Sequence, residues 1–121
     1  MNPTGKYLAM FVGTPESVKM TAWRAMPDDQ RRKKEQEGMA AWGAWMQKHQ
    51  GAIVDMGGPL GKTKSVSASG VQDASNQLSG YVVIRAGSVD EASKLFENHP
   101  HFANFPGERV EIMPILAVPG M

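Results

Sequence analysis

Runs of apolar residues, separated by polar and glycine-rich stretches, divide the chain into a small set of predicted elements. Short apolar runs bounded by Gly or Pro are typical of buried strands. This pattern predicts a polar loop over residues 70–78 and strands over residues 6–12, 52–56, 62–69, 80–86 and 108–116. The strand at 62–69 alternates weakly and is rich in serine, whereas the one at 80–86 is an unbroken row of β-branched and aromatic residues.

Helical spacing is clearest over residues 28–50, after a short helix predicted over 16–24. Pro27 and the two carboxylates behind it suit the first turn of a helix. The second half of the segment places its apolar residues on one side, within an arc of about 120°. They are Met39, Trp42, Trp45 and Met46, and His49 falls on the same side.

A second helix begins at Ser88, which forms a capping box with Glu91 three residues later. This helix must end by His99, because Pro100 disfavours helical geometry in the residue before it. Without the weakly alternating strand at 62–69 and the short helix at 16–24, the order of elements is β-α-β-β-α-β. It predicts a ferredoxin-like α+β protein in which a four-stranded antiparallel sheet carries both helices on one face. We expect a single domain over residues 1–121.

Strand alternation assigns side chains to two faces of this sheet. The face toward the helices should hold Val82, Ile84, Val110, Ile112, Val54 and Met56. The opposite face is half apolar, with Tyr81, Val83, Arg85, Glu111, Met113, Ile115, Ile53 and Asp55. A half-apolar face is costly to leave in water, and a second copy of the same sheet can cover it. We therefore expect a homodimer through this face.

Composition and charge exclude several classes of function. The chain has 121 residues, 41% hydrophobic and 21% charged, as in soluble globular proteins. A net charge of +1 gives no reason to expect a nucleic-acid partner. Without cysteine there are no disulfides, thiolate nucleophiles or cysteine-based metal sites. No stretch approaches the roughly 18 apolar residues of a membrane span, so we expect no membrane association and a cytoplasmic location.

Four stretches together resemble the YCII-related proteins, and more closely the branch that includes the DGPF-domain proteins. They are KYLAMFVG at 6–13, KHQGAIVDMGGPL at 48–60, LSGYVVIRAGSVDEASKLFENHPHF at 78–102 and GERVEIMPI at 107–115. The resemblance implies a dimeric α+β barrel, in which two sheets face each other and a cleft lies between the barrel and the helices. It also implies a relation to enzymes that degrade small aromatic or lactone-like compounds with a histidine and an aspartate in the cleft.

This sequence departs from the family pattern at the residues that carry that chemistry. His99 stands where the family has an aspartate before proline, and residues 39–41, where its helix histidine would fall, hold none. The DGPF signature is also missing from residues 62–79. The dyad therefore does not carry over. What carries over is the location of the cleft, lined by the long helix around Trp42 and by residues 99–101.

His99 and His101 are the candidate acid–base residues, because histidine titrates near neutral pH. The proline between them holds the backbone extended, which should send the two side chains to opposite sides, so we expect no shared metal and no cofactor. His99 should end the second helix and border a pocket whose other wall includes Trp42, with His101 turned away. The alternative is that His99 is only a helix C-terminal histidine that faces solvent.

The remaining candidates are aromatic and charged. Trp42 and Trp45 either form a wall for a flat ligand or belong to the core. Other candidate ligand contacts, which could instead face solvent or pair across a subunit interface, are Tyr81, Arg85, Asp55 and Glu111.

The function predicted from these residues is that of a cofactor-free lyase or isomerase acting on a small aromatic or carbonyl-bearing compound. The alternative is a ligand-binding or purely structural dimer without turnover, which the missing dyad favours. A third reading is a heme- or stress-related monooxygenase of the same superfold, for which the sequence offers no argued axial ligand.

Overall fold

Residues 5–120 are described by the structure, a computed structural model. In these residues the strands are β1 (Gly5–Val12), β2 (Ile53–Pro59), β3 (Thr63–Ser67), β4 (Gly70–Ala74), β5 (Leu78–Ala86) and β6 (Arg109–Pro114). The helices are α1 (Val18–Ala25), α2 (Asp28–Lys48), α3 (Val89–Lys94) and α4 (Pro100–Ala103). None of the helices in this range is long and apolar enough to cross a membrane.

One antiparallel sheet has the strand order β2-β5-β1-β6, so that the first strand of the chain lies between the last two of the sheet. Helices α2 and α3 contribute to the core on one face of this sheet. This is the ferredoxin-like arrangement of an α+β protein, and it confirms the predicted fold class.

The core lies between this sheet and the helices. Its buried residues are Tyr7, Ala9, Phe11, Trp45, Val82, Ile84, Ala92 and Phe96. Register pairs Tyr7 with Ile84 and Ala9 with Val82, so the inward residues of the two central strands lie side by side. Burial of each large apolar side chain contributes about 1.5–3 kcal/mol to the free energy of folding. A shift of one residue would expose these side chains, so their burial fixes the register of the strands. The alternation predicted for β5 is therefore confirmed, with Arg85 exposed on the other face.

The predicted alternation of β2 is wrong at its start. Ile53 pairs with Ile84 and packs against the core, whereas Asp55 pairs with Val83 on the opposite face. A register shift between Ile53 and Asp55 inserts one extra residue, Val54, which is 38% exposed and is not among the core residues. A bulge of this kind breaks the period of two on which the prediction rested.

The predicted loop over residues 70–78 is wrong over its first part. Residues 70–74 form β4, which pairs with β3 in a separate two-stranded hairpin. A two-residue turn joins them, and Gly70 follows it with a φ of +106°, a left-handed geometry that glycine adopts without strain. The side chains of β4 are all exposed, which is why hydrophobic patterning did not mark it as a strand.

Helix α3 begins as predicted and ends early. The Ser88 hydroxyl accepts the N–H of Glu91 at 3.1 Å, and the Glu91 carboxylate accepts the N–H of Gly87 at 2.9 Å. The helix ends at Lys94 rather than near His99. A turn follows in which Asn98 has a φ of 56°, and the chain then enters α4.

Candidate functional site

A cleft of about 400 Å³ lies between α2 and the central sheet. Its walls are mostly aromatic and aliphatic. Helix α2 supplies the side of the cleft opposite the strands, with Met39, Trp42, Trp45 and Met46. The other lining residues are Phe11, Met56, Gly58, Pro59, Ser79, Gly80, Tyr81, Val82, His101 and Phe105. A concave apolar space with few polar groups is the usual form of a small-molecule site.

Trp42 and Trp45 both line the cleft, and Trp45 also belongs to the core. The Trp45 indole N–H donates to the carbonyl of Leu95 at 2.7 Å, which ties α2 to the end of α3. The Trp42 ring meets Phe11 edge-on with their centres 5.0 Å apart. The side of α2 that packs on the sheet therefore also lines the cleft, so the two predicted roles of these tryptophans do not exclude each other.

His101 is the histidine that borders the cleft. Its Nε2 lies 2.8 Å from the carbonyl oxygen of Val12, and because a carbonyl only accepts, Nε2 carries the proton. In the neutral ring Nδ1 is then an acceptor. Burial lowers the pKa of His101, and Lys19 adds to the lowering, while the backbone carbonyls of Val12 and Arg109 oppose it. The ring is therefore a neutral base at pH 7.

His99 lies behind the cleft, fully buried, and is not one of the lining residues. Its Nδ1 accepts the backbone N–H of His101 at 3.0 Å, so its side chain caps the start of α4. The ring centre is 4.6 Å from those of both Trp42 and Trp45. Burial, with smaller contributions from His101 and His49, lowers the pKa of His99 to about 3. Its Nε2 has no hydrogen-bond partner among the described residues.

The predicted positions of the two histidines are therefore wrong. His99 was expected to end a helix and border the pocket with His101 turned away, whereas His99 begins a helix and His101 borders the cleft. The residue before Pro100 is extended, as predicted, with φ −61° and ψ 142°. Pro100 then starts α4 instead of continuing an extended segment, which brings both rings toward Phe11, at centre distances of 5.1 and 5.2 Å.

Gly107 and Val12 both lie against the Nε2 edge of the His101 ring. A methyl group built on Gly107 would lie 2.3 Å from Cε1 of His101, closer than side chains approach one another, so only glycine leaves this space. Sequence reasoning missed both residues. The dipeptide of Pro106 and Gly107 marks a turn, but nothing in the residue types connects it with a histidine.

The other four predicted ligand contacts do not come together in the cleft. Tyr81 is one of the lining residues, although it lies between Gly80 and Val82, the inward residues of β5, so strand alternation puts its side chain on the opposite face of the sheet. The three charged residues lie outside the cleft, and two of them have partners of their own. The Glu111 carboxylate accepts Arg109 Nε at 2.8 Å, and the Asp55 carboxylate accepts the N–H of Gly57 at 2.9 Å. Arg85 is exposed beside Lys6 on the neighbouring strand.

Cleft polarity comes from few groups. The Ser79 hydroxyl donates its hydrogen to the carbonyl of Phe11 at 3.1 Å, so the lone pairs of its oxygen can accept hydrogen bonds from a ligand. Nδ1 of His101 is a second acceptor. The lining residues include no Lys, Arg, Asp or Glu in the part of the chain that the structure describes. Among residues 5–120, no group of three or more metal-ligating side chains comes together.

Sheet and cleft together define a ferredoxin-like α+β protein with a small-molecule-sized cleft between its long helix and its sheet. The chain belongs to the YCII-related domain family, whose match covers residues 9–116. This confirms the family resemblance seen in the sequence.

No curated protein matches the chain. Among solved structures, 5-chloro-2-hydroxyhydroquinone dehydrochlorinase from Burkholderia phenoliruptrix AC1100, in complex with 2,5-dihydroxybenzoquinone, is similar with a TM-score of 0.49 and 18% sequence identity. The similarity covers 89% of this chain and 90% of that one.

Proposed function

We propose that the cleft binds a small, flat, uncharged compound that carries a hydroxyl or N–H donor, and that His101 acts on it as a base in a cofactor-free lyase or isomerase reaction. A volume of about 400 Å³ lies within the usual size of small-ligand pockets, roughly 300–1,000 Å³. The apolar walls favour an aromatic or similarly flat body. The free acceptors of His101 and Ser79 favour a donor on that body over a carboxylate or a bare carbonyl.

The observation that carries this proposal is the state of the His101 ring. The Val12 carbonyl fixes the tautomer, and burial keeps the ring neutral, so Nδ1 is a base at neutral pH without help from a metal. In an isomerisation, Nδ1 takes a proton from one atom of the ligand and returns it to another. In an elimination, the electrons of the broken C–H bond form the new double bond, the leaving group departs, and His101 later releases its proton to water.

Binding without turnover is the second candidate, and one observation favours it. Among the cleft-lining residues that the structure describes, only His101 and Tyr81 are titratable. Strand alternation puts the Tyr81 side chain on the other face of the sheet, which leaves His101 as the base in the cleft. A lyase or isomerase with one base must use that same group to return the proton, which restricts the reactions open to it.

Binding is tested with a matched pair of probes, phenol and anisole, of which only phenol donates a hydrogen bond. We expect phenol to bind more tightly to the wild type by roughly the worth of one hydrogen bond, about 0.5–1.5 kcal/mol. Tryptophan fluorescence reports the binding. In His101→Gln this preference should shrink, and in His49→Gln, a change of a histidine outside the cleft, it should stay. Equal affinity of both probes for the wild type would contradict the proposal.

Turnover is tested without knowing the substrate. A mixture of phenols and enolisable carbonyl compounds is incubated with the protein in D₂O, and carbon-bound deuterium is followed by NMR. Exchange that the wild type accelerates and His101→Gln does not would support the lyase or isomerase. Binding of probes with no exchange for any compound supports the binding protein instead.

We also propose that the chain forms a homodimer through the sheet face away from the helices. This face carries half-buried Leu8, Met10, Tyr81 and Val83 beside charged residues of both signs. Lys6 and Arg85 stand directly opposite each other on β1 and β5, and like charges in that position destabilise a sheet. A carboxylate from a second copy would offset their repulsion, and a two-fold interface supplies it reciprocally.

Dimerisation is tested by light scattering at micromolar concentration. The wild type should be a dimer with an interface at or above roughly 1,600 Å². Val83→Glu, in the centre of the face, should give a folded monomer. Val66→Glu serves as the matched change, since Val66 is 76% exposed on the separate hairpin. A monomeric wild type would refute the proposal.

A further inference from the structure

Phe105 rests directly on the backbone of α2 at Gly38. Gly38 is buried in the middle of α2, directly after the largely exposed residues 28–37. A methyl group built on it would lie 2.6 Å from both Cε2 and Cζ of Phe105, well inside contact distance. The absence of a side chain at this position is therefore what allows the ring to seat where it does.

The ring closes one end of the cleft. Both Phe105 and Met39 line the cleft, and along α2 the lining residues run from Met39 to Met46, a span of roughly 10 Å. Gly38 immediately precedes this span, so the phenyl ring stands at its first end. The backbone of Phe105 is anchored there, because its N–H donates to the carbonyl of Pro100 at 2.9 Å.

Neighbouring aromatic rings limit where the Phe105 ring can move. Its centre is 5.8 Å from that of Trp23 and 6.1 Å from that of Trp42. The α2 backbone blocks a third direction. Packed neighbours resist displacement, whereas the cleft is empty volume, so a ring forced off Gly38 moves into the cleft.

We infer that Phe105, seated on Gly38, is a specificity-determining residue that sets the length of the ligand the cleft accepts, with Gly38 as its positioning residue. This inference rests on the proposed function, because it concerns the ligand of the same cleft. It adds a size limit to the chemistry of the cleft. The position of the Phe105 ring sets the maximum length of a ligand that the wild-type cleft accepts.

The test compares two helix glycines that differ in one respect. Gly38→Ala forces the ring to move, whereas a methyl group on Gly43 would meet nothing within 4 Å. Both changes raise helix propensity by the same amount, so any effect on stability through the helix itself is matched. The probes are phenol and the longer 2-naphthol, and tryptophan fluorescence together with isothermal titration calorimetry gives both affinities.

We expect Gly38→Ala to weaken the binding of 2-naphthol about tenfold or more, which is the effect of roughly one overpacked contact. The affinity for phenol should change much less. Gly43→Ala should leave both affinities as in the wild type. In the double variant Gly38→Ala with Phe105→Leu, the smaller side chain should restore 2-naphthol binding. Rescue of this kind separates a size limit from general damage to the fold.

Failure of the proposed function and failure of this inference give different results. If the wild type binds neither probe, the proposed function fails and this inference fails with it. If the wild type binds both probes and Gly38→Ala binds them as Gly43→Ala does, only the inference is overturned. Equal weakening of the two probes in Gly38→Ala, without rescue by Phe105→Leu, also overturns it.

Discussion

Acidification should destabilise this protein through His99, and the structure gives the size of the effect. His99 is fully buried, and burial lowers its pKa from 6.5 to about 3. The titratable groups that act on it, His101 and His49, are also basic and push in the same direction. The unfolded chain binds the proton near pH 6.5 and the folded chain does not, so the free energy of unfolding falls as the pH drops below 6.5.

The magnitude follows from the interval between the unfolded pKa and the final pH. Between pH 6.5 and 5.0 the unfolded chain gains the proton while folded His99 stays neutral, and 1.5 pH units at 1.36 kcal/mol per unit give about 2 kcal/mol. Above pH 6.5 the contribution is fully present. The loss continues until the folded state is itself protonated near pH 3.

Urea unfolding at pH 7.5 and 5.0, followed by tryptophan fluorescence, measures the difference. The matched variant is His99→Asn, because asparagine can still accept the N–H of His101 at the start of α4 but does not titrate. Whatever packing the variant loses is lost at both pH values and cancels. We expect the wild type to lose about 2 kcal/mol more than the variant between the two pH values. Equal losses would refute the buried, neutral state of His99.

Three further changes test the local geometry. Ser88→Ala should lower the free energy of unfolding by about 1 kcal/mol, because its hydroxyl accepts a backbone N–H at 3.1 Å, and an unchanged urea midpoint would contradict that cap. Gly57→Ala should cost more than the roughly 1–3 kcal/mol of left-handed strain, since φ is +62° and the new methyl would lie 1.9 Å from the Tyr81 carbonyl oxygen. Gly107→Ala should displace the His101 ring and shift its imidazole NMR signals, and unmoved signals would show that the contact is not needed.

Much of the fold was predictable because it depends on local and periodic signals. Alternation in β5 fixed which residues face the helices, and Ser88 with Glu91 marked the start of α3. The places where this reasoning failed are those where the period breaks or is absent. A single extra residue near Val54 moved the face assignment of β2, and the exposed β4 carries no apolar face to detect.

Within the candidate site, the residue types and their neighbourhood could be predicted from the sequence: two histidines around Pro100, a tryptophan-bearing helix, and an extended residue before the proline. Which histidine faces the cleft depends on contacts between residues far apart in the sequence. His101 is held by the carbonyl of Val12, 89 positions away in sequence, and by the bare backbone of Gly107. Contacts of this kind depend on backbone atoms and on close approach, which residue types do not encode, so they exist only once the sheet has brought β1 beside β6.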